Sequence, residues 1–135
     1  MRSIVVGYVE SREGEAAMEV AISEARRRGD RLVVVHSMLG GSEDKAQDYL
    51  ASAEAMERIR QRLTAESIEH SLHEYVRGQS PAKDLIQAAD ENDAELIVIG
   101  IRRRTTTGKL LLGSNALEIL HEAPTPVLCV KASDR

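Results

Sequence analysis

The sequence predicts an α/β protein: one open, five-stranded parallel sheet with helices on both faces. Three observations predict it. Five short runs rich in β-branched residues alternate with segments of helical periodicity, and the order β-α-β-α-β-α-β-α-β gives a parallel sheet joined by right-handed crossovers. Several of these runs, such as Leu32-Val33-Val34-Val35 and Leu96-Ile97-Val98-Ile99, are apolar throughout rather than alternating, as in strands buried on both faces. The 135 residues include three Tyr and no Phe or Trp, so the core must be aliphatic, which suits a buried parallel sheet. At this length one domain with one core is expected, spanning residues 1–135.

The elements follow in order. Ser3 to Val9 reads as the first strand. From about Arg12 to Arg28, Ala17, Val20, Ala21 and Ala25 fall at helical spacing. That segment starts acidic and ends Arg26-Arg27-Arg28-Gly29, which suits the helix dipole and a left-handed stop. Arg31 to Ser37 is the second strand. Gly40-Gly41-Ser42 breaks the chain, and a helix from about Glu43 to Ala65 presents Met56, Ile59 and Leu63 on one face. Ile68 to Val76 is a more polar third strand, placed at a sheet edge. Ser80-Pro81 opens a helix with proline in its first turn, and Ala82, Leu85, Ile86 and Ala89 form its apolar face. Glu95 to Gly100 is the fourth strand. Gly113-Ser114 starts a helix through His121 with Leu117 and Leu120 expected inward. Pro124-Thr125-Pro126 is a rigid turn into the last strand, Val127-Leu128-Cys129-Val130.

Composition removes several function classes. The formal net charge is −4, where a general nucleic-acid binder would carry a basic surface. Base-stacking nucleic-acid modules also need several exposed aromatics. The single cysteine, Cys129, leaves no intramolecular disulfide and no Cys-based zinc cluster, and it reads as a small core residue. No apolar run approaches the roughly 20 residues that span a bilayer. The amino-terminal run lacks a signal-peptide layout, so the cytoplasm is the expected compartment.

Ligands of open α/β sheets bind beyond the carboxyl ends of the strands, where strand order reverses. The candidate segments are therefore Val9-Glu10-Ser11, His36-Ser37-Met38, Gly78-Gln79-Ser80 and the stretch from Gly100 to Asn115. The last is far longer than the usual 2–6 residues of such a loop. It carries Arg102, Arg103, Arg104 and Lys109 with no acid among them, and ends in Gly113-Ser114-Asn115 at a helix start. Free backbone N–H groups, the positive end of a helix dipole and paired guanidinium donors together describe an anion site. The bland reading is a solvated basic loop with a capping serine. Glu10 is the one acid expected near it, and a single carboxylate can help hold Mg²⁺ together with phosphates.

Other chemistries fail on spacing. Arg103 stands five residues before Gly108, and Leu110 follows Lys109, so no Walker A loop forms. Gly7 to Gly14 lacks the dinucleotide G-x-G-x-x-G spacing. His70 and His73 are three apart on a strand and face opposite sides. His36 reads as a hydrogen-bonded histidine between sheet and helix. No Ser or Cys has a base placed beside it, so no catalytic residues are assigned.

Gly100, Gly113 and Ser114 resemble the nucleotide motif G-x2-G-x9-G-[ST] of the universal stress protein family. Lys109 to Ser114, Ala123 to Val130, Val35-His36, Gly78 and Ala94 to Gly100 are similar to the same family, so the resemblance spans essentially the whole chain. It implies a Rossmann-like, doubly wound sheet in the order 3-2-1-4-5. It also implies adenine between the ends of strands one and two, near Val9, Glu10 and Ser37. Phosphates would sit on the glycine loop, near Gly100, Arg102, Arg103, Gly113, Ser114 and Asn115. The expected ligand is ATP or another adenine nucleotide, with Mg²⁺ beside it, in a regulatory protein with at most slow incidental hydrolysis. The expected assembly is a homodimer through Val127, Leu128, Cys129 and Val130, whose apolar edge would pair antiparallel with that of a second copy. Two positions depart from the pattern. Arg103 replaces a motif glycine, and either obstructs the phosphates or clamps them. Val9 stands where many binders have Asp. The alternative is a dimeric stress-response interaction protein with a vestigial pocket.

Overall fold

The computed structural model describes residues 2–38, 46–76, 80–101 and 112–132. Along them run β1 (Ser3–Gly7), α1 (Arg12–Arg28), β2 (Arg31–Met38), α2 (Ala46–Ala65), β3 (His70–Val76), α3 (Pro81–Glu91), β4 (Ala94–Ile101), α4 (Ser114–Glu122) and β5 (Val127–Lys131). The strands form one sheet in the order β3-β2-β1-β4-β5, and every neighbouring pair is parallel. The class is the one expected from the sequence pattern, and the strand order is the one the family resemblance implies.

Alternation along each strand divides the core in two. Ile4, Val6, Leu32, Val34, Leu96 and Val98 pack with Met18 and Ile22 of α1 and Ile59 and Leu63 of α2. Val5, Val33, Val35, Ile97 and Ile99 pack with Leu85 of α3 and Ile119 of α4. Right-handed crossovers explain the division. The chain steps one way from β1 to β3 with α1 and α2 on one face. It returns the other way from β3 to β5 with α3 and α4 on the other.

Helix α1 is bounded as its sequence suggests. The Gly14 N–H donates to the Ser11 side chain at 3.0 Å. Gly29 adopts a left-handed φ of 70°, and its N–H returns to the Ala25 carbonyl. The buried stripe also includes Met18 and Ile22, beyond the alanines. In α3 the buried stripe takes Ala88 with Ala82, Leu85 and Ala89, while Ile86 is half-buried.

Two strand ends, each by two residues, and one helix face differ from expectation. β1 ends at Gly7, and Val9 is 47% exposed. β3 begins at His70 because Ile68 still belongs to the end of α2. Ser67 takes a φ of 57° and the Ile68 N–H closes on the Leu63 carbonyl, a Schellman-type stop. In α4 the inward residues are Ile119 with Ala116 and Ala123, whereas Leu117 and Leu120 are exposed. A nine-residue helix offers two stripes of similar apolarity, so docking against α3 and the sheet decides between them.

Candidate functional site: a cleft at the reversal of strand order

From β1 the chain goes to β2 on one side, and β4 enters on the other. At the carboxyl ends of these strands, on the α3/α4 face, a cleft of about 180 Å³ opens. The strands contribute Gly7, Val35, Ser37, Ile99 and Gly100, and Tyr8 and Val9 follow directly after β1. Pro81 and Leu85 of α3 and Asn115, Ala116 and Ile119 of α4 close it from above the sheet.

Among the residues proposed from sequence, Val9, Ser37, Gly100 and Asn115 line this cleft. Gly113 and Ser114 are exposed at the start of α4, immediately before Asn115. Glu10 is not brought in: its carboxylate lies 3.7 Å from the guanidinium of Arg58 in α2, on the other face of the sheet. Arg102 and Arg103, with Arg104 and Lys109, lie outside the described residues. The residues missed from sequence are the apolar lining, chiefly Val35, Leu85 and Ile119, which read as ordinary core positions. Only the packing of α3 and α4 over this end of the sheet brings them together at a cleft.

The glycines do different work. A Cβ on Gly100 would stand 2.0 Å from the Glu13 carbonyl oxygen. Glycine there lets the first turn of α1 lie against β4, so packing alone demands it. Gly113 is the opposite case: a Cβ there meets no described atom within 4 Å. Its φ of −71° is open to any residue.

Gly113 occupies the N-cap of α4 and supplies no side-chain cap. The first intrahelical bond runs from the Leu117 N–H to the Gly113 carbonyl, so the N–H groups of Ser114, Asn115 and Ala116 have no partner within the helix. The positive dipole end lies with them at the cleft. The neighbouring α3 is closed by contrast. The Lys83 N–H donates to the Ser80 hydroxyl oxygen at 3.2 Å, and that hydroxyl donates to Glu118 of α4 at 3.2 Å.

Two groups near the cleft are structural. His36 Nδ1 donates to the Tyr8 carbonyl at 2.9 Å, and by alternation its ring faces the α1/α2 side. The Tyr8 hydroxyl donates to Glu15 at 2.6 Å. Burial, with that carboxylate, pushes the phenol above its ordinary range. Among the described residues no group of three or more His, Cys, Asp and Glu side chains could hold a metal ion.

Residues 1–131 match the model of the universal stress protein family. The chain is 41% identical to a universal stress protein of Mycolicibacterium smegmatis over 95% of its own length and 96% of the relative's. It superimposes on the universal stress protein of Archaeoglobus fulgidus with a TM-score of 0.84, at 39% identity, covering 97% of this chain and 99% of that one. A universal stress protein from the same organism, solved in complex with dAMP, gives a TM-score of 0.77 at 34% identity, covering 97% and 98%.

Proposed function

The chain belongs to the universal stress protein family, and we propose that it binds an adenine nucleotide, ATP or AMP, as a regulatory ligand in the cytoplasm. The observation that carries this reading is the open amino end of α4 at the cleft. Uncapped N–H groups, a helix dipole and an unobstructed Gly113 meet there, at the reversal of strand order. The phosphates would lie against Gly113, Ser114 and Asn115, with Arg102 and Arg103 as their cations. Val9 and Ser37 would lie toward the base. The relative solved with dAMP supports the class of ligand. No helix among the described residues is long and apolar enough to cross a membrane.

The test is a thermal-shift titration of the purified protein with ATP, with and without Mg²⁺. Ligand at 100 times its dissociation constant adds about 2.7 kcal/mol, on the order of 10 °C in Tm for a protein of this size. Adenine nucleotide released on denaturing the purified protein is expected as well. A Tm unmoved by saturating nucleotide overturns the reading.

Arg103 motivates the second reading, a dimeric interaction protein with a vestigial pocket. A clamping Arg103 predicts that Arg103→Ala weakens ATP binding by about 1.5–3 kcal/mol, the worth of a charged hydrogen bond. An obstructing Arg103 predicts binding restored in Arg103→Gly and none in the wild type. The two substitutions thus separate the readings by sign.

A further inference from the structure

Edge strand β3 carries an aromatic pair, His73 and Tyr75. Its register against β2 sets Val35 opposite His73 and Ser37 opposite Tyr75. Val35 and Ser37 are the two β2 residues that line the cleft. Alternation places His73 and Tyr75 on the same sheet face as their β2 partners, one strand spacing of about 4.8 Å away. The imidazole and phenol planes lie 10° apart with centroids separated by 6.2 Å. His73 Nε2 shares a hydrogen bond of 3.0 Å with the Ser71 hydroxyl, which steadies the ring. Tyr75 packs partly against the α3/α4-face core and remains half-exposed.

Helix α3 lies over β1, β2 and β4, and β3 takes its main contacts from β2 and α2. Of the three tyrosines in the chain, Tyr8 is buried and bonded to Glu15. Tyr75 packs on the α3/α4-face core and is half-exposed on the strand beside Ser37. The sheet order β3-β2-β1-β4 puts its ring on the side of the cleft away from α4 and β4. A nucleotide whose phosphates meet the amino end of α4 would extend its base across β1 and β2 toward β3.

The geometry points to Tyr75, backed by His73, as the platform on which the base of the bound nucleotide stacks. This assignment rests on the nucleotide reading above and extends the site by one strand. Stacking uses the π-face that every base has, so Tyr75 supplies affinity for a base and leaves discrimination among bases to the edges of the cleft.

The test measures binding of ATP and of inorganic tripolyphosphate, which has no base, to the wild type, Tyr75→Phe and Tyr75→Ala. Tyr75→Phe keeps the ring and is expected to bind ATP as the wild type does. Tyr75→Ala is expected to weaken ATP about 5- to 100-fold, the usual worth of one base–aromatic stack, while tripolyphosphate affinity stays the same. ATP bound equally by the wild type and Tyr75→Ala overturns the platform and leaves the nucleotide reading standing. Equal losses for ATP and tripolyphosphate also overturn it, since the residue would then act on the fold. A wild type that takes up neither compound sinks both readings together.

Discussion

At the scale of single residues, two glycines of one motif separate by what surrounds them. Gly100 touches α1 so closely that Gly100→Ala drives a methyl into the Glu13 carbonyl. Backbone on both sides leaves little room to yield, and overpacking of this kind costs about 1–3 kcal/mol or more. Gly113→Ala meets open space and an ordinary φ, so its stability should stay within about 0.5 kcal/mol of wild type. Urea unfolding of the two variants checks the pair, and equal destabilisation would refute the distinction. The motif spacing reads both as ligand glycines. Only the distance from β4 to α1 reveals that the first is already required by the fold. Cys129 needs no functional account: burial raises its thiol pKa, and a protonated thiol is a poor nucleophile.

At the scale of elements, the end of α1 and the starts of β2 and β4 meet in a charged knot away from the cleft. Glu95 accepts from Arg2 at 2.9 Å and pairs with Arg28 at 3.3 Å, and its carboxylate shares a hydrogen bond with Asp30. That bond from Asp30, then Arg2, lowers the Glu95 pKa to about 2. Burial, then the neighbouring Glu95, raises that of Asp30. The signs are opposite. The contribution of Glu95 is present above its unfolded value of about 4.3 and is lost as pH falls toward 2. That of Asp30 is present below about 3.9 and is lost as pH rises through its raised folded value. Asp30→Asn keeps the shape and removes the titration. Melts between pH 4 and 7 should show this variant gaining on the wild type as pH rises, and parallel pH profiles would refute the assignment. The sequence announces Arg26-Arg27-Arg28 as a dipole feature, but the pairing of Arg28 with Glu95 joins residues far apart in the chain and could not be read from spacing.

At the scale of the whole molecule, the sheet leaves two edges, β3 and β5. Val127, Leu128, Cys129 and Val130 are all half-exposed on β5, and Leu117 and Leu120 stand 50% and 43% exposed on α4. An apolar edge strand invites pairing, and an antiparallel match of β5 with a second copy would make an isologous contact about a two-fold axis. Light scattering at micromolar concentration is therefore expected to give the mass of a dimer. A monomer mass there would count against the pairing.

The sequence by itself determined the sheet. Apolar runs of strand length, helical stripes between them, Ser11 and Gly29 at the limits of α1 and Ser80-Pro81 at the start of α3 are local signals. Right-handed crossovers leave few ways to assemble such elements. The sequence also marked the amino end of α4 as a candidate anion site, because a long basic loop before a glycine-serine helix start is itself a local signal. Tertiary structure alone decided the rest. It turned Glu10 toward Arg58, buried Ile119 rather than Leu117, and brought Val35, Leu85 and Ile119 to one cleft. It also set Tyr75 beside Ser37. Each of these depends on which strand or helix becomes the neighbour, and a side chain's direction has no meaning for function until that neighbour is in place.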